Sequence, residues 1–378
     1  MTPSVTPATL ARLRLAAQWI LPTPARPSTG PAGVVRWLTA LQGQDFPGAL
    51  WSIGLRSGTG RAAVEDAFDR GDIVRSCPLR GTLHVTAAED VGWILSLTAE
   101  RMRQGQATRH RQLGITTPDV DRVRGLALAL LEQLGGRATR DELFAAFERA
   151  GQGTKAQRGY HLLFLLCLEG TLVQGPVSRG TGNGNGQFYV SSEAWIANPR
   201  VLDRTEALTE LALRYFRSHG PATVKDFQWW SKLTLADIKA GLDQTKDRLD
   251  TVECRGESYW LAPETAGLLG GNKPIAPPGA RSVLLLPGFD EYLLGYTDRS
   301  AALAPHHAPL TVPGGNGMFK ATVVVGGQVA GTWHKAQGAA EKQREVAGVV
   351  LPDFFTELGP NQLKALEKAA AGYKCFLG

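Results

Sequence analysis

With 378 residues, of which 43% are apolar and 20% charged, the chain has room for roughly two to four compact units, and fibrous or disordered classes are excluded. Its formal net charge of +6 and pI near 9.2 favour an anionic partner without identifying one.

In chain order, Leu10–Ile20 and Val34–Leu41 carry apolar residues at helical spacing, and Ala63–Phe68 makes a third helix. Ile73–Cys77 pairs with Thr82–Thr86 across Pro78-Leu79-Arg80-Gly81, and a long helix, Ala88–Arg103, closes this region. An internal repeat follows. Gly136-Arg137-Ala138-Thr139-Arg140-Asp141-Glu142-Leu143 aligns with Gly220-Pro221-Ala222-Thr223-Val224-Lys225-Asp226-Phe227. Each copy places a Thr N-cap three residues before an acid, the spacing of a capping box.

Each copy is preceded by an amphipathic helix, Val120–Leu134 or Thr205–Ser218, and followed by another, Lys155–Leu168 or Leu235–Gln244. Strand pairs then follow: Thr171–Gln174 with Gln187–Val190 across the Gly180–Gly186 loop, and Leu249–Cys254 with Ser258–Leu261 across Arg255-Gly256-Glu257. Helix, capped helix, helix and hairpin is the winged-helix order. Beyond Pro263 the texture turns to β, with Ser282–Leu286, Ala321–Val325 and Gln328–Trp333, the last two joined by Gly326-Gly327. Gly267–Pro278 reads as a linker, and Gln362–Ala371 as a terminal helix.

The expected fold is thus α+β: three tandem winged-helix units at residues 1–115, 116–200 and 201–265, then a small sheet or β-barrel-like region with a C-terminal helix at 266–378. Cys77, Cys167, Cys254 and Cys375 lie too far apart for a metal clip and read as reduced thiols. No apolar run approaches the roughly 20 residues of a membrane span. The N-terminus lacks a signal-peptide h-region, so a cytoplasmic protein is expected.

Two carboxamides two residues apart, Gln42 and Gln44, follow the second helical pattern. A neutral amide orients water through its oxygen and NH2 group but is no strong base at pH 7, so such a pair suits a substrate whose leaving group is already activated. Alone, it also reads as a solvated surface pair. Asp45 beside it reads as a helix-end residue before Phe46-Pro47, or as a carboxylate that stabilises positive charge. Arg80, Thr82 and His84 alternate along one strand face, where they reach phosphates if the face is open; Arg80 paired with an acid and His84 satisfied in the core is the alternative. Arg101, Arg103, Arg109, His110 and Arg111 form a basic run, and Arg299, Lys320 and Lys335 flank the β region. Phe227, Trp229 and Trp230 read as core packing. His306-His307 has no third ligand in its loop.

Five segments carry a resemblance: Leu41-Gln42-Gly43-Gln44, Ala49–Arg56, Leu79–Val85, Leu286–Tyr296 and Gly331-Thr332-Trp333. Together they are similar to the AlkZ-type winged-helix DNA glycosylases, over nearly the whole chain. The resemblance implies three winged-helix units and a β-barrel around a basic C-shaped cleft, with Gln42 and Gln44 as the catalytic pair. Between them that family usually has a larger apolar residue, where this chain has Gly43; a related branch has an acid in place of the second Gln. The implied reaction is hydrolysis of the N-glycosidic bond of N7-alkylated purines, bulky adducts and interstrand crosslinks included.

Alkylation at N7 makes the base cationic, so it departs neutral without an enzyme acid, and the pair has only to hold water against the developing oxocarbenium. The expected DNA contacts are Arg56, Arg80, Thr82, His84, Arg299, Lys320 and Trp333, and the Val323–Trp333 hairpin is either a groove-inserting element or an ordinary barrel edge. A monofunctional, monomeric enzyme on double-stranded DNA, nucleoid-associated and without metal or cofactor, follows from this reading.

Rival motifs fail on particular residues. Leu286-Pro287-Gly288-Phe289-Asp290 lacks the second glycine of a helix-hairpin-helix turn, no zinc-deaminase signature occurs, and Gly182-Asn183-Gly184-Asn185-Gly186 lacks a strand-to-helix context. The alternative from another class is a non-enzymatic winged-helix regulator. A regulator ordinarily dimerises on a palindromic site, whereas here three unlike units lie on one chain.

Overall fold

The computed structural model describes residues 2–21, 29–179, 186–270, 282–336 and 345–378. Thr6 caps helix α1 (Pro7–Ala17) by accepting the Thr9 N–H. Helix α2 (Pro31–Leu38) also starts on a proline, whose fixed φ suits a first helical position. It stops at Thr39, whose φ of 67° is incompatible with a right-handed helix. The helix expected to reach Leu41 is therefore shorter, and Ala40–Gln42 forms strand β1. Asp45 caps α3 (Phe46–Ser57) by accepting the Gly48 N–H, a helix absent from the sequence reading, and α4 (Arg61–Asp69) follows.

Strands β2 (Ile73–Leu79) and β3 (Thr82–Ala87) are joined by Arg80-Gly81, both at positive φ, as the common two-residue hairpin turn needs. Strand β1 adds to the other side of β3. Helix α5 (Val91–Gln112) runs past its expected end and takes in the whole basic run.

Reciprocal capping boxes open three of the next helices. Thr116 and Asp119 start α6 (Thr117–Gln133), Thr139 and Glu142 start α7 (Arg140–Arg149), and Asp203 and Glu206 start α10 (Arg204–His219). Between them lie β4 (Arg137–Ala138), α8 (Arg158–Leu168), β5 (Leu172–Ser178), β6 (Gly186–Ser191) and the short α9 (Ser192–Trp195). The repeat's second box, Thr223 with Asp226, starts α11 (Val224–Ser231). Helix α12 (Leu235–Asp243) and the hairpin β7 (Asp250–Cys254) to β8 (Glu257–Leu261) follow. The Gly-rich loop before β6 lies outside the described residues, apart from Gly186.

The first two hairpins do not stand apart: one sheet runs β1-β3-β2-β5-β6-β4. Its junction is the antiparallel pairing of Arg75 with Gln174.

Most of the expected linker, 271–278, lies outside the described residues, beyond α13 (Pro263–Ala266). The last region holds β9 (Val283–Leu286), α14 (Glu291–Leu294), α15 (Ala308–Thr311), β10 (Thr322–Val325), β11 (Gln328–Lys335) and β12 (Val350–Phe354). Among the described residues its sheet order is β12-β11-β10-β9, with β9 and β12 as edges, so the expected barrel is there an open antiparallel sheet. Four strands are too few for closure, since even small barrels use about five or more.

Helix α16 (Pro360–Leu377) covers this sheet: Leu366, Tyr373 and Phe376 share one core with Val283, Leu285 and Trp333, and with α2 to α4. Gly54 on α3 makes the approach possible, since a Cβ there would lie 2.3 Å from Phe376. The β10–β11 turn is not free to enter a groove. A Cβ at Gly327 would lie 3.3 Å from Arg12 and 3.5 Å from Ala11, and Tyr292 Oη donates to its carbonyl at 2.6 Å. That hairpin is ordinary sheet. No helix among the described residues is long and apolar enough to cross a membrane.

Candidate active site

The glutamine pair stands where β1 leaves its sheet. Leu41 faces Val85 and Gln42 faces His84 in antiparallel register, and the Gly43 N–H reaches Leu83 O at 2.7 Å. The chain then turns out toward Asp45 and α3. Gln42 is buried, at 6% exposure, and Gln44 is exposed. Gln42 Nε2 donates to Gln44 Oε1, while the Gln44 backbone N–H donates to Gln42 Oε1 at 2.8 Å.

Arg75 holds the turn from below. Its Nη1 donates to Gly43 O at 3.0 Å and its Nε to Gln174 Oε1 at 2.9 Å, and its guanidinium lies 4.6 Å from the Phe46 ring centre. Burial lowers its pKa to about 10, still a cation at neutral pH. A Cβ on Gly43 would lie 3.1 Å from Arg75 Cδ. A glycine thus fits the close approach of this arginine. Asp45, beyond capping α3, has its carboxyl pKa raised by burial against the opposing hydrogen bond from Gly48.

Behind the pair lies a sealed polar network around Glu291, which is 1% exposed. Its Oε1 accepts the Gln42 backbone N–H at 3.2 Å and lies 3.9 Å from Arg80 Nη2. Its Oε2 accepts Trp230 Nε1–H at 3.0 Å and faces His219 Nε2 at 3.3 Å. Burial pushes the carboxyl pKa up, but the His219 hydrogen bond and the Arg80 charge outweigh it and bring the pKa to about 2. Glu291 is therefore a carboxylate.

His84 is neutral. Burial, with the Arg80 charge, lowers its pKa to about 3. Its Nδ1 must donate to Thr82 O (2.8 Å), because a carbonyl only accepts, and its Nε2 must accept from Arg80 (2.9 Å), because a guanidinium only donates.

Trp229, half-buried on α11, sits among cations: Arg80 at 5.2 Å, Arg299 at 5.4 Å and Lys232 at 5.7 Å from its ring centre. Lys232 is exposed, and burial together with Arg80 and Arg101 holds its pKa below the usual lysine range. Burial also lowers the Arg299 pKa, against the pull of Asp226. Burial is the larger cause in both, and the like charge of Arg80 adds to it. On the other flank, a Cβ at Gly288 would meet Phe319 O at 2.9 Å and Asp45 Oδ2 at 3.7 Å, so the segment with exposed Met318 and Lys320 runs beside the Gln44-Asp45 turn.

The structure sorts the expected DNA contacts into two groups. Lys320 is exposed and Arg299 and Thr82 are partly so. Arg56 is sealed at 0% exposure, its guanidinium on both Asp290 oxygens at 2.8 Å. His84 is equally buried. Trp333 is 7% exposed, with Nε1 donating to Leu286 O at 2.9 Å. These three cannot touch a duplex, and their expected role is corrected to a structural one. Arg80 takes the alternative reading, an arginine facing the acid Glu291 and bonded to Trp230 O at 3.2 Å.

The basic run is spent mostly on local partners: Arg103 on Glu169 at 3.0 Å, Arg109 on Gln157 at 3.1 Å, Arg111 on Thr108 at 3.1 Å, and His110 against His161. Arg75, Glu291 and Lys232 were missed, and Trp229 was read as core alone. Only Glu291 lay in a segment already singled out. Among the described residues no group of three or more His, Cys, Asp or Glu could hold a metal ion.

The sequence pattern of the family described as "DNA glycosylase AlkZ-like" matches residues 35–376. An "Interstrand DNA cross-link repair glycosylase" of Streptomyces sahachiroi is 28% identical over 364 residues, 91% of each chain. The solved structure of Streptomyces sahachiroi DNA glycosylase AlkZ superposes with a TM-score of 0.77 at 25% identity, covering 99% of this chain and 97% of that one.

Proposed function

The chain belongs to the AlkZ-like DNA glycosylase family, and from that premise we propose that it hydrolyses the N-glycosidic bond of N7-alkylated purines in double-stranded DNA. Bulky adducts and interstrand crosslinks fall within the proposed range, in keeping with the name of the Streptomyces relative. In this reading it is a monofunctional monomer that acts on cytoplasmic, nucleoid-associated DNA and needs no cofactor. Its helices and hairpins make three tandem winged-helix units with the proposed limits 1–115, 116–200 and 201–265, ahead of the C-terminal region at 266–378.

The observation that carries the proposal is the mutual lock of Gln42 and Gln44 at the mouth of the turn. Each side-chain carbonyl oxygen receives one hydrogen bond in that lock, and each has a second lone pair. Two acceptors fixed side by side take both protons of one water and leave its oxygen lone pair directed outward. A cationic purine leaves as a neutral base with the C1′–N bonding pair and needs no acid; the held water bonds to C1′ of the oxocarbenium and sheds one proton to solvent, so holding it in place is the main task. Lys232, Arg299 and Lys320 supply the phosphate contacts that bring the sugar to it.

The test is a duplex carrying N7-methylguanine, assayed for abasic sites under single-turnover conditions. Release by the wild-type protein, with strand cleavage only after alkaline treatment, supports the proposal. Sequence-specific binding with no base release overturns it in favour of the regulator.

A further inference from the structure

We infer that Glu291 is a positioning residue of the hydrolytic site, holding the peptide of Gln42 so that the Gln42–Gln44 lock forms. This rests on the function proposed above. Among the described residues β1 has a partner strand on one side only, β3, so the hydrogen bonds of β3 alone do not fix its outer side. The Gln42 N–H points to that outer side and is met by Glu291 Oε1 at 3.2 Å. Glu291 is itself immobilised. Trp230 and His219 hold its other oxygen, Arg80 faces the first, and Gln18 Nε2 donates to its backbone carbonyl at 3.1 Å.

The end of β1 and the α10–α11 corner, which also share an apolar core through Ala40, are thereby referred to one carboxylate. Side-chain atoms of Gln42 and Gln44 differ from the Gln42 peptide by only a few bonds, so a displaced peptide misaims both amides. Small misplacements of this kind are costly in a reaction that depends on orientation.

Glu291→Gln keeps the volume but removes the charge and turns one acceptor into a donor, facing either Gln42 N–H or Trp230 Nε1–H. The expected result is a single-turnover excision rate lowered at least tenfold with the Kd for lesion-bearing duplex within twofold of wild type. A double-mutant cycle with Gln44→Ala separates positioning from general support. If Glu291 acts through the pair, Glu291→Gln adds no further loss in the Gln44→Ala background; a fully multiplicative loss overturns the inference.

Should Glu291→Gln fail to fold, Glu291→Asp carries the same test. It keeps the charge facing Arg80 and withdraws the oxygen from Gln42 by one methylene. An Asp variant as active as wild type also overturns the inference. Gln44→Ala without effect on excision would instead remove Gln44 from the catalytic role, and a wild-type protein that releases no base would sink the proposed function itself, so the failures are distinguishable.

Discussion

Replacing Arg56 by Met tests whether this arginine is a structural clamp or a DNA contact. Its guanidinium donates to Asp290 Oδ2 and Oδ1 at 2.8 Å each, to Gln18 O at 3.0 Å, to Gln18 Oε1 at 3.1 Å and to Ser52 Oγ at 2.6 Å. The two charged side chains are 0% and 3% exposed. Without Arg56, the Asp290 carboxylate keeps, among the described residues, the Ser52 hydroxyl and the Tyr292 N–H.

Breaking a buried pair on one side costs about 3–5 kcal/mol. An unfolding entropy of about 2.1 cal/mol/K per residue gives roughly 0.8 kcal/mol/K for the 378 residues, so Tm should fall by about 4–6 °C if the chain melts as one unit. Calorimetry measures that fall, and fluorescence anisotropy should show DNA affinity unchanged below the transition. Adding Asp290→Asn should recover part of the loss, because the stranded charge is then gone. An unchanged Tm with weaker, less salt-dependent DNA binding would refute the clamp.

Gln44→Ala should lower excision of N7-methylguanine at least tenfold, about 1.4 kcal/mol of barrier, with duplex binding intact by anisotropy. Lys232→Gln and Arg299→Gln should each weaken binding regardless of sequence and reduce the slope of log K against log salt by about 0.9, the signature of one lost phosphate contact. Asp45→Ala should cost about 1 kcal/mol by removing the cap of α3, whereas Asp45→Asn should retain stability and excision; a melting series and single-turnover rates on both variants decide. Stability should also fall with acid. The pKa values of His84 and Glu291, about 3 and about 2 in the folded chain, lie below their unfolded values, so the unfolded chain binds more protons and stability rises with pH. Both contributions are complete above about pH 6.5. That of His84 is lost from there down to about 3, and that of Glu291 from about 4.5 down to 2. A Tm constant between pH 7 and pH 4 would contradict this.

What the sequence disclosed was local. The boxes at Thr139 and Thr223 and the turn at Arg255-Gly256 form as expected, since each depends on residues within a few positions of one another. Ala40 and Leu41 of the three-residue β1 read as the end of a helix, because they continue its apolar pattern and a strand this short shows no alternation. The fate of Arg56 depends on Asp290, 234 positions away, and that of the Gln42 N–H on Glu291, 249 positions away. No local pattern encodes such distances. Barrel closure was equally hidden, because the apolar pattern of a strand is the same whether its sheet closes or ends at an edge.

The segment Asp290–Tyr296 shows how the two halves of the problem meet. Asp290 holds α3 through Arg56 and Ser52, Glu291 holds β1 and α11, and Tyr292 holds the β10–β11 turn. Tyr296 Oη donates to His219 O at 2.7 Å, accepts from Gln18 at 3.0 Å, and its ring carries Arg14 at 3.6 Å. Asp290, Glu291, Tyr292 and Tyr296 thus tie the N-terminal helix region, the middle of the chain and the β10–β11 turn to the elements that bear the glutamines. A strong acid or base can tolerate some misplacement, because its chemistry is intrinsic. In the proposed reaction two neutral amides have only their direction to offer, so the charge of Glu291 serves best out of contact with the substrate, buried where it keeps that direction fixed.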